Sequence, residues 1–146
     1  MFNALLVCMT NKSNIAARKD LDKSILEIVV ADDNKDNLDL ISFILDALSL
    51  KYYLANNGKT ALDLINDKLP DLVLLDVVMP KMNGMEVNTL IKANLYTSHI
   101  PTIAITGLAE QKHLTALENV GFDDYIIKPF AIEELEIKLK RFLQIS

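Results

Sequence analysis

Five polar side chains occupy the positions where the apolar segments of this sequence end. Asp32 and Asp33 come directly after the run ILEIVVA, and Asp76 closes the run DLVLLD. Thr106 closes TIAIT, and Lys128 follows YII. Crowded carboxylates favour binding of a hard divalent cation such as Mg²⁺, and an aspartate can also accept a phosphoryl group as a nucleophile. The set therefore predicts chemistry at an acidic site, provided that the fold brings these side chains together.

Phosphoryl transfer depends mainly on positioning and on neutralising charge over three non-bridging oxygens. Mg²⁺ can neutralise one of these oxygens, and the Lys128 ammonium can neutralise a second as a point charge. The hydroxyl of Thr106 can donate a hydrogen bond to the third. We expect no His or Cys at this edge of the fold, which disfavours zinc and copper.

Each of these residues also has a purely structural interpretation when it is taken alone. Asp32 and Asp33 would favour the amino end of the helix that follows them. Asp76 would be a loop acid, Thr106 a hydroxyl at a strand end, and Lys128 a solvated charge. All five together, in this order and at strand ends, favour a functional site.

Hydrophobic periodicity predicts the elements that position these residues. Continuous apolar, β-branched runs are typical of buried strands, and apolar residues spaced by three and four are typical of helices. The pattern predicts an α/β fold with a five-stranded, doubly wound, parallel sheet, flavodoxin-like strand order 2-1-3-4-5 and five helices. Such a sheet binds ligands at the carboxyl ends of its strands. The predicted strands cover 25–31, 51–55, 71–76, 102–106 and 125–127, and the helices about 35–50, 61–69, 85–95, 110–120 and 132–143.

Composition sets the domain organisation. The chain has 146 residues, 51% apolar, with a net charge of −5, which excludes a disordered chain and argues against direct nucleic-acid binding. No stretch reaches the roughly 18 apolar residues of a membrane span. Residues 1–24 carry four basic and two acidic side chains, and we expect them to be a flexible leader. Residues 25–146 are then the folded domain, and a single cysteine favours the cytoplasm.

Four motifs carry a resemblance to a known family. They are VVADDN at 29–34, PDLVLLDVVMPKMNG at 70–84, IPTIAITG at 100–107 and GFDDYIIKPF at 121–130. The chain from about 25 to 143 resembles a response-regulator receiver domain of bacterial two-component signalling.

This resemblance implies roles for individual residues. Asp76 would be the phosphoacceptor and would also touch the Mg²⁺ ion. Asp33 would bind the ion directly, Asp32 mostly through water, and Val78 through its backbone carbonyl.

The resemblance also implies a switch. Thr106 and Lys128 would take the roles that the chemistry suggests, and Tyr125 would match the aromatic residue that changes rotamer together with the threonine. A cis peptide bond is expected at Lys128–Pro129, because the free energy of the cis form is only slightly above that of the trans form before a proline.

The function expected from the resemblance is a phosphorylation-switched signalling protein. It would accept its phosphoryl group from a histidine kinase or a phosphotransfer protein and signal to a downstream protein partner, without membrane insertion. It would not be an enzyme beyond catalysing its own phosphorylation and slow dephosphorylation. Because the chain ends at Ser146, after the last predicted helix, we expect a stand-alone receiver, acting as a switch or as a phosphorelay intermediate.

Two other classes of function stay open on the sequence. A phosphatase with an aspartate nucleophile usually has a second aspartate two residues on, where this chain has Val78. A flavin- or nucleotide-binding protein would need a glycine-rich first loop, whereas the loop DDNKDN is anionic and has no glycine. Incubation with a small phosphodonor, or flavin absorbance in the purified protein, would distinguish the three classes.

Overall fold

The computed structural model describes residues 25–146, in which five parallel strands form one sheet in the order β2-β1-β3-β4-β5. This confirms the predicted fold class and strand order. The predicted leader, residues 1–24, lies outside the described residues. The strands are β1 (Glu27–Ala31), β2 (Lys51–Ala55), β3 (Leu72–Asp76), β4 (Thr102–Thr106) and β5 (Asp124–Ile127).

Four helices connect successive strands, and a fifth helix follows the last strand. The first three begin at an asparagine whose side-chain oxygen accepts a backbone N–H of the first turn, as expected of a strong N-cap residue. Within residues 25–146, none of the helices is both long and apolar enough to cross a membrane. The helices are α1 (Lys35–Ala47), α2 (Gly58–Lys68), α3 (Gly84–Ala93), α4 (Gln111–Asn119) and α5 (Ile132–Leu143).

The first helix is shorter than the sequence pattern predicts. It ends at Ala47 instead of continuing to Leu50, because Ser49 adopts a left-handed conformation with φ of 56°. The Leu50 N–H then bonds to the Leu45 carbonyl, which closes the turn and directs Leu50 into the core.

The core lies on both faces of the sheet. Strand residues alternate between the two faces, so that Val29 belongs to the buried cluster that includes α2, α3 and α4, whereas Ile28 belongs to the cluster that includes α1 and α5. This double burial explains why the strands read as continuous apolar runs. Polar residues at the strand ends, namely Asp32, Asp76 and Thr106, are buried as well.

A charge cluster joins the edge strand β5 to α5. The Asp124 carboxylate accepts a hydrogen bond from Lys138 at 2.8 Å and is paired with Arg141. Burial raises the pKa of Asp124, but hydrogen bonds from Lys138 and from the Tyr125 N–H, with the nearby positive charges, outweigh burial and lower it overall.

Replacement of Asp124 by asparagine should lower the free energy of unfolding at pH 7 by about 1 kcal/mol. The pKa of Asp124 is lowered on folding, so its contribution is complete above the ordinary value of 3.8 and disappears as the pH falls through the folded-state value. The difference in unfolding free energy between the wild type and Asp124→Asn, measured with urea, should therefore be smaller at pH 3 than at pH 7. Asp39→Asn, at an exposed pair with Lys35, is the matched control. An Asp124→Asn deficit of equal size at both pH values would contradict this assignment.

Candidate functional site

The carboxyl ends of four strands meet at one edge of the sheet. Asp32 directly follows β1, Asp76 is the last residue of β3, Thr106 is the last residue of β4, and Lys128 directly follows β5. Backbone hydrogen bonds continue past the strands, with the Lys128 N–H donating to the Thr106 carbonyl at 2.7 Å. The predicted convergence of these side chains at one edge is therefore present in the fold.

Three carboxylates form an acidic cluster there. One oxygen each from Asp32, Asp33 and Asp76 lies within 4.8 Å of the others. Asp32 is fully buried and Asp76 is 4% exposed, whereas Asp33 is exposed to solvent. The Asp32 carboxylate is held by the Asn34 N–H at 2.9 Å and by the Asn37 side-chain amide at 3.1 Å.

Lys128 bridges two of these acids. Its ammonium nitrogen lies 3.3 Å from Oδ2 of Asp32 and 3.3 Å from Oδ2 of Asp76. The Lys128–Pro129 peptide bond is cis, which confirms the prediction for this bond.

The three carboxylates of the cluster carry more negative charge than the single ammonium of Lys128 compensates. Burial, and next the carboxylate of Asp32, raise the pKa of Asp76 to about 6, although Lys128 acts to lower it. One ammonium thus does not compensate three crowded acids. An all-oxygen donor set of this kind, partly buried and short of positive charge, fits a hard cation such as Mg²⁺.

The environment of Thr106 corrects one expectation. We expected no histidine at this edge, but Nε2 of His113 lies 3.0 Å from the Thr106 hydroxyl oxygen. The same oxygen accepts the Leu108 N–H at 3.1 Å. Among residues 25–146, the acidic cluster itself contains only aspartates, so the histidine contacts Thr106 and is not part of the carboxylate group.

Val78 and Tyr125 occupy flanking positions. The Val78 N–H donates to Oδ1 of Asp76 at 3.3 Å, and the residue is 67% exposed. Tyr125 is half-buried, pairs with Ala104 across β4 and β5, and packs against the core cluster on the α4 side of the sheet.

Two residues of the site escaped the sequence analysis. Asn37 reaches Asp32 from the first turn of α1, five residues along the chain, a spacing that no strand-end rule predicts. His113 lies on α4, beside the buried Leu114, and nothing in the pattern distinguishes it from a partly solvated helix residue. Its rarity is the one available signal, because the chain has only two histidines.

Comparison with known proteins agrees with this geometry. The family model described as the response regulator receiver domain matches residues 28–140. The receiver domain of a sensor histidine kinase from Pseudomonas aeruginosa, solved with a magnesium ion coordinated in its active-site cleft, superposes with a TM-score of 0.77 at 28% identity. That match covers 83% of this chain and 99% of the other.

Curated relatives include proteins of very different length. The polar-differentiation response regulator DivK of Brucella anthropi is 30% identical over 116 residues, which cover 80% of this chain and 94% of DivK. A probable cyclic di-GMP phosphodiesterase of Vibrio cholerae is 39% identical over 129 residues, which cover 84% of this chain. The matched part is only 28% of that phosphodiesterase, 10% of histidine kinase P4 of Formosa agariphila and 26% of the regulatory protein AtoC of Escherichia coli.

The family model covers the segment that supplies all four strand ends and the acidic cluster. The family model begins in β1 and ends in α5, so it spans the whole sheet. On this basis the chain belongs to the response regulator receiver domain family, a family of signalling domains.

Proposed function

We propose that this chain is a phosphorylation-switched signalling protein that carries its phosphoryl group on Asp76. The donor is a histidine kinase or a phosphotransfer protein, and the output is a changed contact with a downstream protein. The observation that carries the proposal is the position of Asp76, which is buried at a strand end beside Asp32 and in contact with the Lys128 ammonium. The proposal also places the chain in the cytoplasm, in keeping with its single cysteine.

The reaction uses the carboxylate of Asp76 as a nucleophile. One carboxylate oxygen forms a bond to the phosphorus of a phosphohistidine, and the P–N bond breaks. The electron pair of that bond stays on the imidazole nitrogen, which takes up a proton. Lys128, already 3.3 Å from the acceptor, supplies positive charge next to the transferring group. Because the Val78 N–H bonds to Oδ1 of Asp76, it fixes the orientation of the carboxylate.

Mg²⁺ would be held by Asp32, Asp33 and Asp76, together with the backbone carbonyl of Val78. When bound, it supplies charge neutralisation for a phosphoryl oxygen. Asp32 is already oriented for this role, since Asn34 and Asn37 hold its carboxylate.

The switch operates through Thr106 and Tyr125. An aspartyl phosphate attracts the Thr106 hydroxyl, because a charge-assisted hydrogen bond is stronger than a neutral one. Thr106 and Tyr125 lie on the neighbouring strands β4 and β5, so movement of the threonine changes the space available to the ring. The face made by α4, β5 and α5 is then the surface that a partner distinguishes.

Incubation with a small acyl phosphate and Mg²⁺ tests this function. We expect the intact mass to increase by one phosphate, and the product to be sensitive to hydroxylamine. A phosphatase would release phosphate from a range of esters without retaining it, and a flavin protein would show flavin absorbance as purified. The side chain of Val78 has no polar group to position a hydrolytic water, so we expect the product to persist for longer than the mixing time.

Removal of one carboxylate should abolish metal binding without weakening the metal-free fold. In Asp33→Ala we expect the Mg²⁺-dependent rise in melting temperature to disappear, because an exposed ligand is lost. In chelator the variant should melt at or above the wild-type temperature, because repulsion within the cluster is relieved. Asp36→Ala, an acid in the first turn of α1 outside the cluster, is the control. A marked drop for Asp33→Ala in chelator would show instead that Asp33 stabilises the metal-free fold.

A further inference from the structure

The Thr106 hydroxyl is engaged before any phosphoryl group arrives. Thr106 is fully buried, and its oxygen accepts the Leu108 N–H at 3.1 Å. Its second neighbour is Nε2 of His113, at 3.0 Å. The proposed switch residue therefore has a specific side-chain partner on α4.

Which of Thr106 and His113 donates the hydrogen bond follows from the number of protons and acceptors at the Thr106 hydroxyl. A threonine hydroxyl has one proton to donate, and a backbone N–H such as that of Leu108 cannot accept it. Within residues 25–146, His113 is the only neighbour of the Thr106 hydroxyl that can accept that proton. Because a buried hydroxyl proton without an acceptor is costly, the geometry favours donation from Thr106 to Nε2, with the imidazole proton on Nδ1.

We propose that His113 is a positioning residue that competes with the phosphoryl group for the Thr106 hydroxyl. The inference rests on the proposed function, in which Thr106 must donate to the phosphorylated Asp76. The hydroxyl has one proton, so it cannot serve both acceptors at once. His113 therefore favours the unphosphorylated arrangement, and the strength of its bond sets how readily the switch responds.

The same bond connects the phosphorylation site to α4. His113 is half-buried in the first turn of a helix whose N-cap residue, Glu110, makes no side-chain capping bond. The hydrogen bond to Thr106 thus ties this weakly capped end to the end of β4. When the hydroxyl turns toward the phosphoryl group, the tie is lost at the edge of the α4–β5–α5 face.

The protonated nitrogen of His113 can be measured without any ligand. We expect long-range ¹H–¹⁵N spectra at a pH of about 8.5, where imidazoles are neutral, to show the proton of His113 on Nδ1 and a bare Nε2. His99 is exposed and is the only other histidine, so it serves as an internal reference. A proton on Nε2 of His113 would overturn the inference, because His113 would then support the hydroxyl instead of competing for its proton.

Beryllofluoride, which mimics the phosphoryl group of an aspartyl phosphate, measures the competition. In the presence of Mg²⁺, His113→Phe should bind beryllofluoride about five- to tenfold more tightly than wild type, since one opposing hydrogen bond is removed. His113→Gln keeps an acceptor and should stay within about twofold of wild type, as should the control His99→Phe. If His113→Phe bound with wild-type or weaker affinity, the proposed competition would be wrong.

A double-mutant cycle separates competition from a general effect on the fold. In a Thr106→Ala background, His113→Phe should change the affinity by less than about twofold, because the contested hydroxyl is absent. Persistence of the full effect in that background would reject the role of His113 while leaving the proposed function intact. Failure of the wild type to bind beryllofluoride at all would instead reject the proposed function.

Discussion

Replacement of Asp76 by asparagine should reduce phosphoryl incorporation from a small acyl phosphate by at least about a hundredfold. The amide has the shape of the carboxylate but is a poor nucleophile. It can still accept the Val78 N–H, so the surrounding loop should keep its conformation. Intact-mass measurement over time, in Mg²⁺, gives the rates for both proteins.

The fold of Asp76→Asn should be at least as stable as that of the wild type in chelator. Burial and the Asp32 carboxylate disfavour a charge at position 76, and the amide carries none. Asp63→Asn, at an exposed position on α2, controls for a general loss of acidic charge and should be phosphorylated normally. Wild-type incorporation in Asp76→Asn would show that the acceptor is another residue.

Replacement of Gly84 by alanine should destabilise the domain by about 2–4 kcal/mol. A Cβ atom at this position would lie 2.4 Å from the Asp76 carbonyl oxygen and 3.0 Å from the Val77 Cα. Both are backbone atoms, so no side-chain rotation relieves the clash, and the segment that carries the acceptor must move. Urea unfolding should therefore show the loss of stability, and the phosphorylation rate should fall with it.

Gly107→Ala is the matched control for this effect. Gly107 follows Thr106 at the same edge of the sheet, but a Cβ atom there has no heavy atom within 4 Å. We expect its unfolding free energy to stay within about 0.5 kcal/mol of the wild type. Equal stability of Gly84→Ala and Gly107→Ala would mean that the close approach of α3 to β3 is not a real constraint.

The sequence predicts the sheet and its order well because burial on both faces leaves an unambiguous pattern. A run such as LVLLD in β3 is short, almost entirely apolar and closed by a polar residue, which is typical of a buried strand and not of an amphipathic helix. Helix ends are less predictable, since they depend on the backbone conformation of single residues. The left-handed Ser49, which ends α1 before Leu50, has no glycine or proline to mark it.

In the candidate site, the residues at strand ends could be predicted from the sequence, whereas the contacts made by helix residues could not. Parallel topology alone requires Asp32, Asp76, Thr106 and Lys128 to meet, so strand-end positions were sufficient to find them. Contacts made by side chains from helices depend on rotation and tilt, which periodicity does not determine. That is why Asn37 beside Asp32, and His113 beside Thr106, became visible only in three dimensions.

Chemical trapping of the phosphorylated residue is the most direct test of phosphorylation on Asp76. Borohydride reduces an aspartyl phosphate to homoserine, and peptide mass spectrometry then gives its position in the chain. After incubation with an acyl phosphate and Mg²⁺, we expect homoserine in place of Asp76, in an amount equal to the phosphate incorporated. Homoserine in place of Asp32 or Asp33, or a phosphorylated chain in which Asp76 stays unreduced, would contradict the proposed function.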